Sequence, residues 1–147
     1  MNKAIFLDRD GVINKTIVKN GLPYSPPEYE KLEILPRVKE AIFIFKKLKF
    51  LCIMITNQPD VSRGKIDKKN VVKMNEYIKD NLKLDDIFVC YHDDHNNCNC
   101  RKPKPGLILE ATKKWNIDLK KSWMIGDRWK DIYAGKKVGC KTIFITE

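Results

Sequence analysis

Long apolar runs are missing from this sequence. None approaches the ~20 residues that cross a bilayer, so no membrane partner is expected. The apolar part of the N-terminus, Ala4 to Leu7, is too short for the core of a secretory signal. The expected location is therefore the cytoplasm. Internal repeats and low-complexity tails are absent as well, which argues against a repeat array or a linker protein. Arginine is scarce. Of 29 basic residues only five are arginines, at Arg9, Arg37, Arg63, Arg101 and Arg128. Against 19 acidic residues the formal charge is +10, an excess that can signal a nucleic-acid partner. Yet four of the five arginines fall inside the motifs described below, while lysine serves nearly everywhere else. Arginine is preferred where a planar fork must hold a phosphate or carboxylate. Aromatic residues are not interleaved with the basic ones, as a stacking platform for single strands requires. A small anionic ligand is favoured over nucleic acid.

What is present describes one soluble domain. The 147 residues are 43% hydrophobic and 33% charged, and a chain of that size buries enough surface to fold without staples. Strand-length apolar runs occur at 4–7, 50–55, 87–91, 123–125 and 142–145. Segments of helical spacing alternate with them, at 36–49, 67–82, 105–115 and about 131–139. Pro36 suits a first helical turn and Asp67 an N-cap. In the first helix Val38, Ile42, Phe45 and Leu48 form a stripe, with Ala41 and Ile44 widening the face expected to be buried. Alternating strands and helices predict an α/β fold with a mostly parallel central sheet covered on both faces. Residues 14–31 follow no strong period. Their Gly21, Pro23, Pro26 and Pro27 suggest an ordered loop or flap.

Four strand ends carry polar residues. The first run stops at Asp8-Arg9-Asp10-Gly11, and carboxylates at the carboxyl edge of a parallel sheet can bind metal or attack phosphorus. The second ends in Thr56-Asn57-Gln58, able to hydrogen-bond phosphate oxygens. The third element is Cys100-Arg101-Lys102-Pro103-Lys104-Pro105, two cations and more before a proline-opened helix. The fourth is Gly126-Asp127-Arg128, with Asp131 four residues beyond Asp127. Each alone is also compatible with an ordinary turn, cap or solvated basic loop. Together they would converge on one crevice.

Of the five cysteines, Cys52 and Cys140 lie in apolar runs and read as buried and inert. Cys90, Cys98 and Cys100 cluster beside both histidines, His92 and His95. Such clustering in a cytosolic protein suggests metal. The pattern Cys90-x-His92 then Cys98-x-Cys100 offers three thiolates and an imidazole, which suit a closed tetrahedral zinc site. His95 is the rival ligand; Asp93 and Asp94 could support the site from outside.

FLDRDGVIN (6–14), TNQPDVSRGKI (56–66), CRKPKPGLIL (100–109) and IGDRWKDI (125–132) resemble, in order and wording, the haloacid dehalogenase superfamily of phosphohydrolases. Within it they resemble the branch of histidinol-phosphate and heptose-bisphosphate phosphatases. The resemblance implies a three-layer Rossmann-like fold without a large cap domain, acting as a monomer on a small phosphorylated sugar, foremost a heptose 1,7-bisphosphate. It implies Asp8 as nucleophile, Asp10 as general acid/base, and Thr56 and Lys102 as holders of the phosphoryl group. Asn57, Gln58, Arg101 and Arg128 would bind substrate. Magnesium would sit on Asp8, the Asp10 main-chain carbonyl and Asp127, and Asp131 would orient the metal shell or Lys102. Zinc would be structural, on Cys90, His92, Cys98 and Cys100. In the heptose enzymes a lysine often follows the last motif aspartate, where this chain has Arg128, so sugar specificity stays open. Histidinol phosphate and polynucleotide 3′-phosphate ends remain as other substrates, and a zinc-loop binding module without catalysis as another class.

Overall fold

The strand β1 (Lys3–Leu7) runs through the middle of the molecule. Alternate residues of a strand face opposite sides, so Ala4 and Phe6 enter one core and Ile5 and Leu7 the other. Both faces are covered, which is why the run is uniformly apolar and not alternating. In the computed structural model, which describes residues 1–146, β1 is flanked by β4 (Phe50–Asn57) and β6 (Trp123–Gly126). β5 (Asp86–Cys90) and β7 (Lys141–Phe144) complete a five-stranded sheet of order β5-β4-β1-β6-β7. All its pairings are parallel. The expected strands are all there; β1, β4 and β6 are longer by one or two residues, and β5 and β7 begin and end one residue earlier than expected.

The helices α1 (Val38–Lys47) and α2 (Lys68–Leu82) lie over the face of Ile5, Cys52 and Met54. The helices α3 (Gly106–Trp115) and α4 (Trp129–Lys137) lie over the face of Phe6, Ile53 and Ile55. Each fully buried aliphatic in these two cores contributes about 1.5–3 kcal/mol. No helix among the described residues is long and apolar enough to cross a membrane.

Four sequence expectations need correction. α1 starts at Val38, because Arg37 takes a left-handed conformation outside the helical range and separates Pro36 from the helix. Ile44 and Leu48 are 54% and 56% exposed; Ile44 sits about 200° around the helix from the buried Ile42, and Leu48 lies past the last turn. α4 begins at Trp129, which puts Asp131 inside its first turn. The expected flap holds regular structure: β2 (Ile17–Lys19) and β3 (Leu22–Tyr24) form an antiparallel hairpin. Asn20 and Gly21 both have positive φ, as the tight turn between such strands requires, and the Asn-Gly pair is a strong hairpin signature.

Candidate active site

The winding of the sheet reverses beside β1. The chain moves from β1 outward through β4 and β5, then crosses to β6 and β7 on the other side. Loops leaving β1 and β6 part company there, which opens a crevice at the carboxyl edge. Asp8 follows β1 and Asp127 follows β6, one on each side of that opening.

Lys102 reaches the same point from the loop between β5 and α3. Its buried ammonium donates to Asp8 Oδ1 at 2.8 Å and to the Ile55 carbonyl at 2.9 Å, and lies 2.7 Å from Asp131 Oδ1. Three protons thus meet three acceptors. Burial disfavours the ammonium, but Asp8 and Asp131 outweigh it and hold Lys102 protonated above its ordinary range. Asn57 fixes the loop beneath. Its side chain accepts from the Lys102 backbone N–H at 3.1 Å and donates to the Lys102 carbonyl at 3.2 Å. Burial pushes the Asp8 carboxyl up to about 8; Lys102 pulls against this, while Asp131 and Asp10 add to it.

Asp127 is also raised, chiefly by burial. Its Oδ1 is buried and has no hydrogen-bond partner. Its carboxylate packs on Gly11, where φ is +90° and any Cβ would collide with it. The Asp-Gly turn is therefore required by backbone and by close approach at once. Asp8, Asp127 and Asp131 bring oxygens within 4.8 Å of one another, and Asp131 is committed to Lys102. An orphaned buried oxygen on Asp127 next to a second carboxylate fits a hard divalent cation such as magnesium.

Asp10 sits in different company. Asn14 Nδ2 donates to its Oδ1 at 3.0 Å, and Gln58 Nε2 and Ser25 Oγ donate to its Oδ2 at 2.9 and 2.6 Å. The buried Arg9 guanidinium lies 3.9 Å from Oδ1. Thr56 is fully buried, and its hydroxyl receives Gln58 Nε2 at 3.0 Å. In this arrangement Thr56 supports Gln58 and does not line the open cavity.

That cavity holds about 150 Å³ and is shared by Asp8, Asp10, Asn57, Arg101, Lys102 and Arg128. Arg63 and Lys130 add further cations. Arg101 donates to Asp94 Oδ1 at 2.7 Å, and Arg63 forks onto Asp93 at 2.6 and 2.8 Å. Among the described residues Arg128 and Lys130 form no ion pair. Sequence reasoning placed Arg63 in a motif but not at the site, and it gave no signal for Ser25, which the flap delivers.

The loop that carries Lys102 begins with four metal-type side chains in contact. His92 Nδ1 lies 3.5 Å from Cys90 Sγ and 3.4 Å from Cys100 Sγ. Cys90 Sγ lies 3.7 Å from Cys98 Sγ and 3.0 Å from Cys100 Sγ. Tetrahedral zinc with bonds of about 2.3 Å to sulfur and 2.0 Å to nitrogen separates its ligands by about 3.8 and 3.5 Å. Three of the four separations match; the Cys90–Cys100 pair is closer than a bound ion would hold it. Burial pushes the Cys90 and Cys100 thiols up; the neighbouring sulfurs add to the rise at Cys100, while hydrogen bonds with Cys100 and the His92 backbone offset part of it at Cys90. Against the effect of burial, hydrogen bonds from the backbone of Arg101 and Cys100 hold the Cys98 thiol down at about 6. A cation is what such a cluster lacks electrostatically. His95 lies outside it, largely exposed and 3.8 Å from Asp93.

Known proteins agree with this geometry. A family model described as "HAD-hyrolase-like" matches residues 99–147. A Helicobacter pylori (strain J99) protein named D-glycero-beta-D-manno-heptose-1,7-bisphosphate 7-phosphatase is 39% identical over 140 residues, 91% of this chain and 77% of the relative. A Photorhabdus laumondii protein whose name specifies the alpha anomer is 36% identical over 160 residues, 99% of this chain and 82% of the relative. The crystal structure of D,D-heptose 1,7-bisphosphate phosphatase from B. bronchiseptica, complexed with magnesium and phosphate, superposes with a TM-score of 0.83 at 28% identity. It covers 95% of this chain and 78% of that one. At 36–39% identity over nine-tenths or more of its length, the chain belongs to the heptose-bisphosphate phosphatase family of haloacid dehalogenase-like hydrolases.

Proposed function

We propose that the protein hydrolyses the 7-phosphate of D-glycero-D-manno-heptose 1,7-bisphosphate through an aspartyl-phosphate on Asp8. The observation that carries this reading is the contrast between two carboxylates one residue apart. Asp8 lies in a buried cluster with Lys102, Asp127 and Asp131, whereas Asp10 is held by donors at the cavity wall. Such a division of environments assigns separate tasks to paired acids.

Asp8 attacks phosphorus as the bond to the sugar oxygen breaks, and Asp10 gives its proton to the departing alkoxide. Asp10 then takes a proton from water, the resulting nucleophile attacks the phosphoryl group, and Asp8 and phosphate are released. Lys102 holds Asp8 in line and supplies positive charge as the phosphoryl oxygens shift in the transition state. Asp8, Asp127 and the Asp10 carbonyl would hold magnesium, which when bound neutralises the nucleophile and the incoming phosphate. Arg63, Arg101, Arg128 and Lys130 suit a substrate that carries a second phosphate. Zinc on Cys90, His92, Cys98 and Cys100 would fix the loop that presents Arg101 and Lys102.

The direct test is phosphate release with magnesium from both anomers of the heptose bisphosphate, histidinol phosphate and a 3′-phosphorylated oligonucleotide. Preferential release from a heptose bisphosphate supports the reading; preference for either of the others, or no release at all, overturns it. Two further results are expected. Because Asp8 must ionise to receive the cation, magnesium affinity rises with pH up to about 8, by up to about tenfold per unit. Titration calorimetry at pH 6 and 8 in two buffers of different ionisation heat measures both the affinity and the proton released. Cys98→Ser lowers zinc content and turnover together; a zinc-free variant with full turnover would remove the zinc from any role at the site.

A further inference from the structure

The acid/base Asp10 has four polar neighbours, and three of them can only donate. Arg9 has no acceptor. Gln58 is held as a donor because its Nε2 also donates to Thr56 Oγ1 at 3.0 Å, and the Thr56 hydroxyl spends its own proton on the Asn57 carbonyl at 3.4 Å. Asn14 is fixed likewise, since its Nδ2 also donates to the Lys15 carbonyl at 3.1 Å. A carboxylate is well served by such a set. A carboxylic acid about to release its proton is not, because its O–H would find donors only. The fourth neighbour, Ser25, is a hydroxyl, which can turn from donating to accepting.

Ser25 is also the one neighbour that comes from beyond the hairpin of the flap. It follows β3, lines the same cavity as Asp8, and precedes Pro26 and Pro27, which stiffen the chain beyond it. The base of the flap is tied down on two sides. Lys15 N–H donates to the Glu33 carbonyl at 2.8 Å, and Leu35 N–H donates to the Ile13 carbonyl at 2.9 Å. Tyr29 packs edge-on against Tyr77 of α2, with ring centres 5.2 Å apart. Pro26 is buried between these anchors. The Ser25 hydroxyl is thus held at a fixed place 2.6 Å from Asp10 Oδ2.

We propose that Ser25 is a positioning residue for Asp10, and that through it the hairpin flap governs delivery of the proton to the leaving group. The inference rests on the phosphatase reading above. Before the first half-reaction Ser25 accepts from the O–H of the acid; as the bond to phosphorus breaks, that proton leaves Ser25 and passes to the sugar alkoxide, and the Ser25 hydroxyl turns to donate to the Asp10 carboxylate that remains. An ester whose leaving group departs as a stable anion needs no such proton. The role therefore shows in the comparison of two leaving groups.

The experiment measures the first-turnover rate of Asp8 phosphorylation, by acid quench, with heptose 1,7-bisphosphate and with p-nitrophenyl phosphate. Ser25→Ala is expected to lower the ratio of the two rates, sugar over aryl, about tenfold, the scale of one lost hydrogen bond. The isosteric pair Ser25→Thr and Ser25→Val repeats the comparison at constant shape: threonine retains the parent ratio within about twofold and valine loses it as alanine does. A ratio that stays constant across these variants overturns the inference, whether both rates hold or fall together. A parent protein that is phosphorylated by neither ester overturns the phosphatase reading and the inference with it.

Discussion

Asp8→Asn is expected to lower turnover by at least about 10⁴-fold, because a carboxamide cannot attack phosphorus and the neighbouring Asp131 and Asp10 are engaged by Lys102 and by their own donors. The fold should survive the change. Burial already pushes the Asp8 carboxyl up to about 8, so a neutral group of the same shape is no worse accommodated there than the carboxylate. Lys102 keeps its ion pair with Asp131 and its bond to the Ile55 carbonyl, and the amide oxygen can still receive the third proton. The unfolding midpoint in magnesium-free buffer should therefore stay within a few degrees of the parent, about 1 kcal/mol or less. Phosphoenzyme trapped by acid quench should vanish in the variant. Full activity in a folded Asp8→Asn protein would remove the covalent mechanism altogether, and a variant that simply unfolds would contradict the account of Asp8 as a strained charge.

The fold was legible because its signals are local and redundant. Each strand of the sheet is an uninterrupted apolar run, since helices cover both faces, and the four main helices show their spacing plainly. The placement of Asp8, Lys102 and Asp127 followed from the topology, because strand ends of a parallel sheet share one edge. The misread details depend on tertiary contacts. Ile44 and Leu48 look like core residues by hydropathy, yet α1 presents only its Ile42 side to the sheet. Ser25 has no sequence signature at all. It reaches Asp10, 15 positions earlier in the chain, because a hairpin folds back over the site, and the only local clue was the Asn20-Gly21 turn. The tasks of Asn57 and Thr56 were likewise hidden. Both were expected at the ligand; Asn57 lines the cavity and in addition clamps the Lys102 peptide, and the Thr56 hydroxyl receives the Gln58 amide. A sequence names the chemistry at a strand end, but it does not say which polar group turns outward to substrate and which inward to its neighbours.

Lys102→Met should produce the other large effect, on stability as well as rate. The substitution keeps the length and removes the charge, leaving Asp8 and Asp131 facing one another in a buried site. Removing one partner of a buried ionic cluster costs about 3–5 kcal/mol, and loss of the cation beside the phosphoryl group should lower turnover by about 10²–10³-fold. The stability loss has a distinctive pH dependence. In the parent the folded Asp8 carboxyl sits at about 8, above its ordinary 3.8, so this group stabilises the fold relative to high pH below 4 and loses that contribution as pH rises through 8. Without Lys102 its folded value moves higher still, because the largest influence pulling it down is gone. The gap between parent and variant should therefore be smallest near pH 5 and widen toward pH 8.5. Thermal melts across that range in magnesium-free buffer read it directly. Millimolar magnesium should narrow the gap at pH 8, since a cation on Asp8 and Asp127 replaces part of the missing charge. A gap that is constant across pH would mean that Lys102 contributes only packing, and that the three acids do not share it as their counter-charge.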